Sequence, residues 1–150
     1  MRRAHNTFLR LIDDINVSKV LFDYFDGAMR PPLDYSDILR WEWIQSVSAL
    51  DKLIHDLVRI GMVEIFERRR SITSKYNSFV INLDTYIQMR DTPLLASYYF
   101  ENQVSMKHRF LAFQDPDKIS DALSYIWAEP HKWQAIASYM GKDEKYCIQS

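Results

Sequence analysis

Asp51, His55 and Arg59 follow one another at four-residue intervals, in a stretch whose apolar residues recur every three or four positions. On a helix this spacing sets all three on one face. A carboxylate beside an imidazole raises its pKa or selects its tautomer, as a general base requires. The same row also reads as a polar stripe that covers a core. Arg40 lies far from it: fifteen residues of helix separate it from His55, about 22 Å at 1.5 Å per residue, so the two share no site within one chain. Arg68-Arg69-Arg70, with Lys75 and Tyr76 nearby, is the one dense basic cluster and the candidate for holding phosphates or RNA. Its plainer reading is a solvated helix end whose cations sit at the negative pole of the macrodipole. Lys107-His108-Arg109 is a smaller cluster of the same kind. Trp41, Trp43, Tyr98 and Tyr99 have faces that stack on bases, although aromatics at helical spacing more often fill a core.

Other chemistries lack their residues. Three glycines, at 27, 61 and 141, do not build a phosphate loop. No His-Glu-x-x-His or Cys-x-x-Cys motif occurs, and the four histidines are scattered, so neither a metal nor a cofactor is expected. Cys147 has no local partner and reads as a small apolar residue rather than a nucleophile.

The chain has 150 residues, the size of one domain, and 47% of them are hydrophobic, enough for a real core. A formal net charge of -1 excludes a globally basic nucleic-acid glove and a polybasic membrane binder, while leaving room for local patches. One cysteine excludes a disulfide framework. No run of 18 apolar residues is present, and Asp13 and Asp14 interrupt the basic N-terminus, which makes a poor signal peptide. The expectation is a soluble, cytoplasmic protein that does not engage a membrane. Low glycine and proline favour helices over a sheet rich in tight turns.

The elements that must carry these residues follow from periodicity. Phe8, Leu11, Ile12, Ile15, Leu21, Phe22 and Phe25 predict a helix over about 7–25, capped by Asn6 or Thr7 and ended by Gly27 before Pro31-Pro32. Ser36 or Asp37 caps a second, longer helix through Ile38, Trp41, Ile44, Val47, Leu50, Ile54 and Leu57. Gly61 either closes that helix or interrupts it, and 62–66 reads as a short helix with a basic end. From Ser71 to Arg90 the pattern fits strand or helix, and helix is preferred because a lone strand has no visible partner. Thr92-Pro93 and Asp115-Pro116 both read as a cap followed by proline in the first helical turn. The first opens a helix through Leu95, Tyr98, Tyr99, Asn102, Met106 and Phe110; the second opens one through Ile119, Ala122, Leu123 and Ile126. After Glu129-Pro130, a short helix through Trp133, Ile136, Ala137 and Met140 runs to Gly141. Asp143 caps a last helix whose apolar pattern, Tyr146, Cys147 and Ile148, has barely begun when the sequence stops at Ser150. That end reads either as a frayed terminus or as a cut in a longer protein.

Three stretches, in order, carry a family resemblance. They are Ser46-Val47-Ser48-Ala49-Leu50-Asp51-Lys52-Leu53-Ile54-His55-Asp56-Leu57, then Phe66-Glu67-Arg68-Arg69-Arg70, then Phe113-Gln114-Asp115-Pro116-Asp117-Lys118-Ile119-Ser120-Asp121-Ala122-Leu123. Together they resemble the RiboL-PSP-HEPN family, a branch of the HEPN helical domains, over roughly residue 10 to the C-terminus. The resemblance implies an all-α, HEPN-like helical bundle with one long central helix, spanning 1–150 as a single domain and forming a homodimer. It also implies kinship with metal-independent endoribonucleases of toxin–antitoxin, anti-phage or RNA-processing systems, with RNA and a cognate protein as further partners. In that family an Arg is followed by a His after four to six intervening residues, and two copies of this motif meet across the dimer. The Arg holds the scissile phosphate and the His takes the 2′-hydroxyl proton. No arginine here is followed by a histidine at that spacing. The motif belongs on the helix that begins near Asp143, so the resemblance implies a C-terminally truncated module, inactive alone. Asp51 and His55 match the family pattern on the long helix, where their implied role is structural. The alternative is a non-catalytic helical interaction or accessory module.

Overall fold

The computed structural model describes residues 1–28 and 36–140. Among the described residues seven α-helices follow one another: α1 (Arg2–Ala28), α2 (Ser36–Phe66), α3 (Ser74–Asn77), α4 (Leu83–Asp91), α5 (Ala96–His108), α6 (Pro116–Leu123) and α7 (Lys132–Tyr139). A single 3-10 turn, Pro93–Leu95, precedes α5. No strand occurs among the described residues, so the chain is all-α. Pro31-Pro32, Gly141 and the helix expected from Asp143 lie outside the described residues.

α2 is the axis of the fold. Its 31 residues span about 46 Å. Ile54, Val58, Met62 and Ile65, at spacings of four, four and three, give it one apolar stripe that meets Phe100 and Val104 of α5 and Ile119, Ala122 and Leu123 of α6. Phe66 stacks on Phe100 with ring centroids 4.6 Å apart. α1 returns antiparallel along α2: the Met1 amine lies 3.6 Å from Glu64 at one end, and Ala4 and Ile15 are buried along the way.

Several boundaries differ from expectation, each for a packing reason. α1 starts five residues early, so Asn6 and Thr7 are helical rather than caps, because the first turn is held against the C-terminal half of α2. Gly27 lies inside α1 rather than after it. Gly61 neither ends nor interrupts α2: the helix continues through 62–66 to Phe66, and the missing side chain serves a close crossing by Ile126. α2 ends where Arg68 turns to φ 59° and the Arg68 and Arg69 amides bond back to Ile65 and Glu64, a Schellman closure with arginine where glycine is usual. Residues 71–90 are not one helix but two, joined by a non-helical segment at 79–82. Phe79 and Ile81 on that segment both pack on the core, which is the source of their strand-like alternation. Phe110 falls beyond the end of α5. The Asp115 cap forms as expected, its carboxylate accepting from the Asp117 amide at 2.8 Å.

Candidate functional site: a histidine and arginine cleft on the long helix

The Asp51–His55–Arg59 row faces α5 and the segment that follows it. His55 Nε2 lies 3.0 Å from the Leu111 carbonyl oxygen. A carbonyl only accepts, so this nitrogen carries the proton. Asp51 sits 3.6 Å from the same nitrogen through one oxygen and accepts the Phe113 amide with the other. The Phe113 ring tilts against the imidazole at 4.5 Å. Asp51 and His55 therefore bind residues 111–113 to α2 from one turn of helix. Arg59 is held between Asp56, at 2.9 Å, and Glu101. Burial works against its charge, but these two carboxylates outweigh burial and raise its pKa.

The fold brings a second basic pair to this row. His108, the last residue of α5, and Arg109 line a cleft of about 310 Å³ together with His55 and Arg59. His108 is buried, and its Nδ1 has no hydrogen-bond partner among the described residues. Leaving such a group unpaired costs about 1–3 kcal/mol. Burial, followed by the nearby His55, Lys75 and Lys107, pushes its pKa below the usual histidine value, so the ring is neutral at pH 7. The Arg109 guanidinium lies 4.3 Å over the Phe110 ring and makes no ion pair among the described residues. The cleft thus offers two imidazoles and one arginine that is free to meet an anion. Sequence reasoning singled out His55 and, weakly, the Lys107–Arg109 run, but not their convergence. His55 and Leu111 are 56 residues apart, and nothing local in the sequence signals that they meet.

The arginine cluster is less free than it looks in sequence. Arg69 is paired with Glu67, with Nε at 2.7 Å. Arg70 bonds to Glu64 and to the Ile126 carbonyl, each at 3.1 Å, and so ties the end of α2 to the turn after α6. Arg68 alone of the three makes no ion pair among the described residues. Lys75 is committed to Asp121 and lies 4.7 Å over the Tyr125 ring. The four aromatics named as stacking candidates are not brought together: Trp41 and Trp43 lie on the N-terminal half of α2, while Tyr98 and Tyr99 touch each other on α5. Cys147 lies outside the described residues. Among the described residues no cluster of three or more His, Cys, Asp or Glu is arranged to hold a metal, and no helix is long and apolar enough to cross a membrane.

No protein-family model, curated protein or solved structure matches this chain.

Proposed function

We propose that the protein is a helical interaction module that assembles as a homodimer through the free half of the α1–α2 hairpin. One observation carries this reading. Among the described residues, no residue of the hairpin beyond Ala49 belongs to the core shared with α5 and α6, yet α1 bears two apolar stripes there. Ile15, Ser18, Phe22 and Phe25 are the less exposed row. Val17, Val20, Leu21 and Tyr24, at positions i, i+3, i+4 and i+7, form a second row that is wholly exposed. α2 matches it with exposed Leu39, Trp43, Ile44 and Leu50, Trp43 being 73% accessible. A helix apolar on two faces expects two neighbours. Two such hairpins packed about a twofold axis form a four-helix bundle in which each stripe is covered. The local charges, Lys19 and Arg40 against Asp23, Asp26, Asp37 and Glu42, argue against RNA or an anionic membrane as the occupant. Sedimentation at high micromolar concentration tests the reading. The wild type is expected as a dimer, and Val20→Glu with Trp43→Glu as a monomer of unchanged helical circular dichroism. A monomeric wild type removes the proposal.

The cleft favours a second reading, the one implied by the HEPN resemblance: a ribonuclease-type module that contacts RNA. Its support is the convergence of His55, His108 and Arg109 beside α2. Arg59 is neutralised by two carboxylates, and the His55 Nε2 proton is engaged by Leu111, so the cleft lacks a ready pair of phosphate clamp and base. On this reading the 150-residue chain associates weakly with RNA, in a salt-sensitive manner, and does not cleave it. An RNA cleavage assay in excess chelator, comparing wild type with His55→Ala, decides this. Robust cleavage lost in the variant would place the active site at His55.

A further inference from the structure

A second cavity, of about 590 Å³, opens on the other side of His108, between α5, α6 and the segment after α3. Its volume lies within the roughly 300–1,000 Å³ of small-molecule pockets. Phe79, His108, Phe113 and Tyr125 line it. Phe79 stands nearly perpendicular to both Tyr125, at 5.9 Å and 89°, and His108, at 6.4 Å and 78°. His108 is buried and contributes its ring to the wall.

The charges decide the sign of the guest. Lys107 Nζ lies 5.0 Å over the Phe79 ring, and Lys75 lies over Tyr125, so each ring already has a cation of the protein over one face. A cationic guest is repelled by these charges, whereas an anionic one gains from them. Of the two carboxylates at the rim, Asp121 is paired with Lys75. Lys107 and Lys118, neither in an ion pair among the described residues, face Asp117 alone. We propose that this cavity binds a small planar aromatic molecule bearing one anionic group, with its ring among Phe79, His108 and Phe113 and its anion at Lys107 and Lys118. The site is independent of the hairpin and shares His108 with the smaller cleft.

Calorimetric titration of the whole chain tests it with 1-naphthoate, uncharged 1-naphthalenemethanol, acetate and adenosine monophosphate. Naphthoate is expected to bind at least tenfold more tightly than the alcohol, with acetate silent. Lys118→Glu places a carboxylate on the exposed first turn of α6, where the helix dipole favours it, so the fold is not at risk. It is expected to weaken naphthoate at least tenfold and the alcohol by less than twofold. Adenosine monophosphate binding more tightly than naphthoate, with the same dependence on Lys118, assigns the guest as a nucleotide; weaker binding assigns it as an aromatic acid. The proposal is overturned if naphthoate does not bind, if the alcohol binds as well, or if Lys118→Glu leaves naphthoate binding unchanged.

Discussion

Gly61 and Ile126 approach so closely that a β-carbon on the glycine would stand 2.7 Å from Ile126 Cγ2 and 2.9 Å from its Cβ. The crossing joins the middle of the core stripe on α2 to the turn that leaves α6. Gly61→Ala gains about 1 kcal/mol of helix propensity and incurs about 1–3 kcal/mol of overpacking. The contact includes the Cβ of a buried isoleucine, which moves only if its backbone moves, so overpacking prevails. A net loss of about 1 kcal/mol is expected in urea unfolding, and a raised midpoint would contradict this account of the crossing.

Asp51 is the anchor of the segment after α5. Asp51→Ala leaves the Phe113 amide without its acceptor, at a cost of about 1–3 kcal/mol. Hydrogen exchange at 111–113 should accelerate more than at Val58 or Met62. Equal acceleration everywhere would mean that the segment unfolds only with the whole protein.

Arg68 holds the left-handed position that closes α2. Arg68→Gly relieves that backbone strain but gives the unfolded chain more freedom. The balance is a gain of about 0.5–1 kcal/mol. Arg68→Ala keeps the β-carbon and should be near neutral, so the difference between the two variants in denaturant midpoint isolates the backbone term.

His108 gives the fold a pH dependence. Its pKa is lowered by burial and then by His55, Lys75 and Lys107. Above about pH 6.5 the ring is neutral in folded and unfolded chains alike, and it contributes no pH dependence. Below that value the unfolded chain takes up a proton that the folded chain refuses, so stability falls as pH drops toward the folded pKa. The decrease in melting temperature between pH 7.5 and 5.5 should be smaller in His108→Phe than in the wild type. Identical decreases would assign the effect to other groups.

Much of this architecture is legible in the linear pattern. The long helix shows itself through apolar residues every three or four positions, and the α6 cap through Asp115-Pro116, because both signals act within one or two turns of chain. Tertiary packing overrode local signals elsewhere. Gly61 carries the mark of a helix end but serves a crossing with Ile126, and Phe79 and Ile81 alternate like a strand because each reaches the core from a non-helical segment. The row Asp51–His55–Arg59 is written in the sequence, since four residues of helix set it on one face. Its partners are not: Leu111, Phe113, Glu101 and His108 reach that row only because α5 packs against α2. Whether an ionisable side chain is paired, buried or free depends on distances through space. For this reason only the tertiary structure separated the committed Arg69 and Arg70 from Arg109, which makes no ion pair among the described residues, and the covered half of the hairpin from the exposed one.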